Sequence, residues 1–432
     1  MFLLFYNLAA LILSPALLAF HLFQLLAGKN PPALAERLGA VSAEQMQKIR
    51  GRKVIWVHAV SVGETLAARP LLKALKERRP DWALVVSNTT ATGRAVSAGI
   101  PEIDAVVCFP FDFLPSVRHA LTAVAPELVV IMETEIWPNF TREAARRDIP
   151  VVLANGRISE RSFPRYRKFD WFFRPTLRLF SLLCMQAEGD LERVLAIGAP
   201  PERSVVTGNL KYDVPYREVP AAERAQLRED YRVPAAATVI CAGSTRPGEE
   251  AYLLASYREL KRERDDLFLV LAPRHPERTA EIAALLEREG FTYRRCSVLE
   301  GWSGSFAPGE VLLVDGVGQL MRLYALSDLC FVGGSLVELG GHNLLEPASC
   351  GIPSTFGPYM NNFRDIAALV KRYRGGVQVP SPEQLTQVWR ELIADPERRR
   401  ELGHNALSMM RESGGATAKH MALMDRFLDK LP

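Results

Sequence analysis

Glu64 closes the run His58-Ala59-Val60-Ser61-Val62-Gly63-Glu64, which leaves the apolar stretch 54–57 and enters a helical pattern. That order places His58, Ser61, Gly63 and Glu64 at the carboxyl end of a strand, where α/β folds bind ligands. A carboxylate there can take the proton of a substrate hydroxyl. It can equally be a first-turn acid held by the helix dipole. A second constellation follows the apolar run 329–332: Gly333-Gly334-Ser335, then Gly340-Gly341-His342-Asn343-Leu344-Leu345-Glu346. Glycines let a ligand approach the backbone, and free N–H groups at a helix expected to begin near Asn343 attract a phosphate. Glu346, one turn in, suits the two hydroxyls of a ribose. The alternative is a corner whose glycines only relieve crowding.

Further polar groups stand on other strand ends. Glu133, Glu135 and Trp137 follow the run 128–132, and Asn155 and Arg157 follow 151–153. Together they can grip sugar hydroxyls or a phosphate; alternatively Glu133 and Arg157 simply pair. Ser244, Thr245 and Arg246 follow 238–242, with Glu249 and Glu250 close behind. Arg274 and His275 follow 267–271 and offer a charge and a donor to a phosphate or a base edge. Val317-Gly318-Gln319 can present backbone groups to a nucleobase, or form a plain glycine turn. No His/Cys cluster has metal-ligand spacing and no D-x-D stands on a strand end, so neither a metal nor a cofactor is expected.

These residues need elements to hold them. The runs 54–57, 83–86, 105–109, 128–132 and 151–153 are continuously apolar, which suits parallel strands covered on both faces. Helical spacing appears over 65–79 and 140–147. After a polar, proline-containing passage the pattern restarts with strands at 238–242, 267–271, 311–314 and 329–332. The expectation is an α/β fold of two doubly wound, Rossmann-like domains facing a cleft. The boundaries read as a hydrophobic anchor over 1–28, a first domain over 29–212 and a linker over 213–234. A second domain covers 235–415, and a terminal helix 416–432. No G-x-G-x-x-G leads a strand into a helix, so a dinucleotide site is not supported.

Residues 1–28 contain no Lys, Arg, Asp or Glu, and Lys29, Arg37, Lys48, Arg50, Arg52 and Lys53 follow. By the positive-inside rule this reads as a signal anchor with the remainder in the cytoplasm, against a monotopic helix lying on the surface. The net charge of +4 in 432 residues is too mild to indicate nucleic acid. The stretch 161–178 concentrates Arg161, Arg165, Arg167, Lys168, Arg174 and Arg178 among Phe163, Tyr166, Phe169, Trp171, Phe172 and Phe173. Such a surface suits anionic headgroups or an anionic substrate, unless it is a packed helix with a solvated basic face. Six scattered cysteines without a C-x-x-C pair read as buried thiols in a reducing compartment.

The motifs HAVSVGE, METEIWPN, NGRIS, GNLK, APRHPER, FVGGSLVELGGHNLLEP and FGPYMNNF occur here in one order. Together they resemble the 3-deoxy-D-manno-octulosonic acid (Kdo) transferases of lipid A assembly, over nearly the whole chain. The resemblance implies the GT-B architecture, with the acceptor on the first domain and the nucleotide sugar on the second. It implies transfer of Kdo from CMP-Kdo to a lipid A precursor, with inversion, at the cytoplasmic face of the inner membrane. It makes Glu64 the proton acceptor and places CMP against Arg274, His275, Val317, Gly318, Gln319 and the run Asn343 to Glu346. Gln319 stands where many relatives carry Glu. Two other readings use the same scaffold: a UDP-sugar 2-epimerase-like isomerase, and a non-catalytic nucleotide-sugar-binding module.

Overall fold

The chain divides into two units, residues 1–213 with 413–432, and residues 214–412. The computed structural model describes residues 5–12, 15, 19, 23, 26 and 34–429.

The first unit is built on a seven-stranded parallel sheet. Its strands are β1 (Val54–His58), β2 (Ala83–Asn88), β3 (Ala105–Cys108), β4 (Leu128–Met132), β5 (Val151–Gly156), β6 (Leu182–Met185) and β7 (Ser204–Val206), in the order 3-2-1-4-5-6-7. Successive side chains of β1 alternate between two cores. Val54 and Trp56 enter one, and Ile55 and Val57 the other. Both faces are therefore covered, which is why the strand reads as an unbroken apolar run. Each such side chain, fully buried, is worth about 1.5–3 kcal/mol.

The second unit repeats the plan with β8 (Thr238–Thr245), β9 (Leu267–Pro273), β10 (Tyr293–Arg295), β11 (Val311–Leu313), β12 (Leu329–Val332), β13 (Ser354–Phe356) and β14 (Gly376–Gln378). These too are parallel, in the order 10-11-9-8-12-13-14. Strand order reverses at β1/β4 in the first sheet and at β8/β12 in the second. Those switch points are where ligands bind in open α/β sheets.

Two boundaries differ from the expectation. The supposed linker 213–234 holds a helix, Ala221–Asp230, and Val219, Leu227, Tyr231 and Val233 join a core of the second unit. With Leu227 as its only large apolar side chain, that helix gives almost no periodic signal. The terminal helix, Ala416–Leu428, belongs to the first unit, where Ala416, Met424 and Leu428 pack beside Val57 and Leu84. Its N-terminus is closed by the Asp213 carboxylate, which accepts the N–H groups of Gly415, Ala416 and Thr417. The basic-aromatic stretch forms two short helices, Phe163–Lys168 and Asp170–Leu177, rather than one.

The anchor expected over 1–28 falls mostly outside the described residues. Among those described, 5–12 are helical and no helix is long and apolar enough to cross a membrane. Tyr6 donates to Asp112 at 2.8 Å, and the amides of Asn7 and Asn139 bond each other. All six cysteines are buried free thiols.

Candidate functional site

In the first unit Glu64 sits in the opening turn of the helix Val62–Arg78, at the carboxyl end of β1. Its carboxylate folds back to accept the Val60 N–H at 2.8 Å and the Ser61 hydroxyl at 3.3 Å. Burial above all, and then the carboxylates of Glu133 and Glu135, push its carboxyl up to about 7 against the pull of the Val60 N–H and the Ser61 hydroxyl. A base poised there is matched to proton transfer at neutral pH. Gly63 is exposed beside it.

Glu133 follows β4 with φ of +57°, so its side chain turns out of the strand's line. Lys211 holds its carboxylate at 3.1 Å. Arg157, named in the alternative reading as its partner, is exposed, and its carbonyl accepts from the Thr134 hydroxyl. Asn155, with φ of +56°, is fully buried and turned inward. Its Oδ1 accepts the Leu210 N–H at 2.9 Å, tying the end of β5 to the segment Gly208-Asn209-Leu210-Lys211. It is a scaffold for the site rather than a surface contact.

His58 does not face a ligand. It has no exposed surface, its Nδ1 lies 3.0 Å from the Ser87 hydroxyl, and its ring stacks on Phe109 at 3.7 Å. Burial lowers its pKa to about 3, which keeps it neutral.

In the second unit the glycine-rich corner is already occupied by an anion from its own chain. The buried Glu249 carboxylate accepts the N–H groups of Gly334 (2.6 Å), Ser335 (2.8 Å), Leu336 (2.8 Å) and Arg246 (3.0 Å). Gly333 N–H goes to the Gly243 carbonyl, and the Ser335 hydroxyl bonds the Val332 carbonyl. These four N–H groups are thus committed to a carboxylate of the same chain; the N–H groups expected to attract a phosphate are those of the helix start near Asn343. Gly333 is required sterically, since a Cβ there would lie 2.4 Å from the Ser244 carbonyl oxygen. Ser244, at φ +57°, marks the irregularity of β8 that makes this crossing.

The corner does gather cations. Arg246 donates to His275 Nε2 at 2.5 Å. His342 packs over Gly334, where a Cβ would meet its ring at 3.0 Å. Burial first, and then the neighbouring Arg274, Arg246 and His275, lower the His342 pKa to about 4. Glu346 is raised by burial, with Arg274 opposing. Arg246, Arg274, His275 and His342 thus share the ends of β8, β9 and β12 with the carboxyls of Glu249 and Glu346.

The helix expected from Asn343 begins at Leu345 and runs only to Ser349. Asn343 Oδ1 itself accepts the Leu345 N–H at 3.1 Å, and Leu344 and Leu345 are buried. Val317 is exposed and Gly318, at φ +82°, has open space around it. The Gln319 side chain turns inward, accepting from Cys296 Sγ at 2.9 Å and the Tyr231 hydroxyl at 3.3 Å.

The family model for 3-deoxy-D-manno-octulosonic-acid transferase (kdotransferase) matches residues 33–214. A 3-deoxy-D-manno-octulosonic acid transferase of Haemophilus influenzae is 34% identical, covering 99% of this chain and 99% of its own. The chain belongs to the Kdo transferase family. A second such transferase, from Bordetella pertussis, is 34% identical and covers 87% of each chain. Among solved structures, the UDP-GlcNAc 2-epimerase of Neisseria meningitidis matches 88% of this chain and 100% of its own, at 15% identity and a TM-score of 0.54. That likeness concerns the fold alone.

Within this Kdo transferase, Arg246, Glu249 and Lys211 are the residues that sequence reading undervalued. Each acts on a partner far along the chain: Lys211 on Glu133, and Glu249 on the corner at Gly334. Local spacing carries no trace of such pairs.

Proposed function

We propose that this chain is an inverting glycosyltransferase that moves Kdo from CMP-Kdo to a hydroxyl of a lipid A precursor, with Glu64 as general base. The observation that carries the reading is a carboxyl held at about 7 at the β1/β4 switch point. The acceptor O–H gives its proton to Glu64 as its oxygen bonds the anomeric carbon of Kdo. The bond from that carbon to the phosphate oxygen breaks, and CMP leaves with the electron pair. General-base help of this kind is worth roughly 100- to 10,000-fold. An oxocarbenium-like transition state follows from glycoside chemistry. In the second unit Arg246 and Arg274 supply the positive field that a departing phosphate needs, with Arg246 held by His275 Nε2. Glu346 and the backbone at Val317–Gly318 suit ribose and base.

The same proposal places the chain at the inner membrane, anchored through residues 1–28, with both units on the cytoplasmic face. In support, Phe5, Leu8, Leu11, Ile12, Phe23 and Leu26 are exposed apolar side chains. In the same unit an apolar pocket of about 460 Å³, lined by Tyr166, Phe169, Trp171, Phe172 and Phe173 with Arg165, suits an acyl chain beside an anionic headgroup.

The test is extension of a tetraacylated, bis-phosphorylated lipid A precursor by the purified protein in detergent, with freshly generated CMP-Kdo and products weighed by mass spectrometry. Kdo addition that disappears in a folded Glu64→Gln supports donor, acceptor and base together. A folded, CMP-binding wild type without product refutes the acceptor. Flotation with anionic vesicles tests the membrane reading.

A further inference from the structure

We propose that His420, on the terminal helix Ala416–Leu428, is a positioning residue for the Glu64 base, acting through Asn155 and Lys211. The proposal rests on the reading of Glu64 as the base. His420 is fully buried, and the Ala416 carbonyl lies 2.7 Å from its Nδ1. A carbonyl can only accept, so Nδ1 carries the proton and Nε2 is left as an acceptor. That nitrogen takes the Asn155 backbone N–H at 3.2 Å and faces the Thr207 hydroxyl at 3.3 Å.

Asn155 needs this support. A non-glycine residue at φ +56° persists only where its surroundings over-determine it. His420 fixes its N–H, Gln186 Nε2 its carbonyl at 2.9 Å, and Leu210 N–H its side-chain oxygen. The consequence runs along the chain. Asn155 fixes Leu210; Asn209, bonded to Gln186, caps the Lys211 N–H at 3.0 Å; and the Lys211 ammonium is aimed at Glu133. Glu133 and Glu135 are the carboxylates that bear on Glu64, with the Val60 N–H and Ser61 hydroxyl as its donors. Lys211 sets how much of the Glu133 charge reaches the base. A helix that merely docked would need only Met424 and Leu428 on this face; an imidazole taking a backbone N–H from the far end of β5 does more.

The closing experiment measures Kdo transfer against pH for the full chain and for His420→Leu, His420→Gln, Lys211→Met and Glu64→Gln, with CMP affinity and melting measured alongside. Removing the acceptor in His420→Leu should loosen Lys211 and raise the acid limb of kcat by about half a pH unit, a roughly threefold rate loss below it. Glutamine, whose side-chain oxygen reaches the place of Nε2, should restore the limb. Lys211→Met should reproduce the shift, and CMP affinity should not change. A folded His420→Leu with the wild-type limb overturns the proposal, as does a His420→Gln as impaired as His420→Leu. Should His420→Leu not fold, an unshifted limb in Lys211→Met overturns it instead. Activity surviving in Glu64→Gln refutes the base itself, a separate failure from that of His420.

Discussion

The carboxylate of Glu249 holds the backbone N–H of Gly334 at 2.6 Å, and with it three more N–H groups of the same corner. An internal carboxylate therefore fills this backbone cradle of the second unit, so the proposed function assigns the substrate phosphate to side-chain cations. Glu249→Gln replaces one accepting oxygen by a donor among donors. It should cost about 2–3 kcal/mol and lower the thermal midpoint by several degrees. An unchanged midpoint would refute this account of the corner.

Arg246 is the side chain that this arrangement puts forward. Arg246→Ala removes the donor to His275 and one charge from the cluster. Loss of a charge-assisted contact is worth about 1.5–3 kcal/mol, so CMP should bind roughly 10- to 100-fold more weakly. Calorimetry with CMP checks this, while the acceptor KM should stay as it is.

Glu64 links activity to stability with opposite signs. Burial raises its folded value to about 7, while the unfolded chain ionises near the ordinary 4.5. The folded state thus binds the proton more tightly, and stability falls as pH rises from about 4.5 to 7. Below 4.5 nothing is lost. Glu64→Gln should abolish transfer and yet stabilise the protein at pH 8. Discounted for solvent, the gain is about 1 kcal/mol, or roughly 2 °C in melting, with no gain at pH 4. Equal melting differences at both pH values would contradict this.

Glu133 raises Glu64 by charge alone. Glu133→Gln should therefore shift the acid limb of kcat down by about half a pH unit, opposite in direction to Lys211→Met. A pH-rate profile of the two variants side by side separates the two signs.

The nine longer or wholly apolar strands were legible because burial on both faces leaves continuous runs such as Leu128–Met132. Four of the five missed strands lack that mark. Ser204–Val206, Tyr293–Arg295, Ser354–Phe356 and Gly376–Gln378 are three residues each, and Tyr293–Arg295 is an edge strand carrying two arginines. Leu182–Met185 follows a helix end with no breaker between them. Glu64 was readable because its strand, turn and helix are contiguous. The use of the glycine corner was not, since Glu249 stands 85 residues before Gly334 and the order of β8 and β12 alone brings them together.

The first unit is interrupted: its last helix is encoded after the whole of the second unit. On the ribosome, the apolar face around Val57, Leu84 and Leu210 waits for Ala416, Met424 and Leu428. At ordinary synthesis rates of about 5–20 residues per second, that wait lasts roughly 10–40 s. A nascent chain in this interval presents a sticky, half-finished sheet layer. A premature stop just before residue 416 leaves that layer of the first unit without its covering helix, while the second unit keeps all of its own residues up to 412.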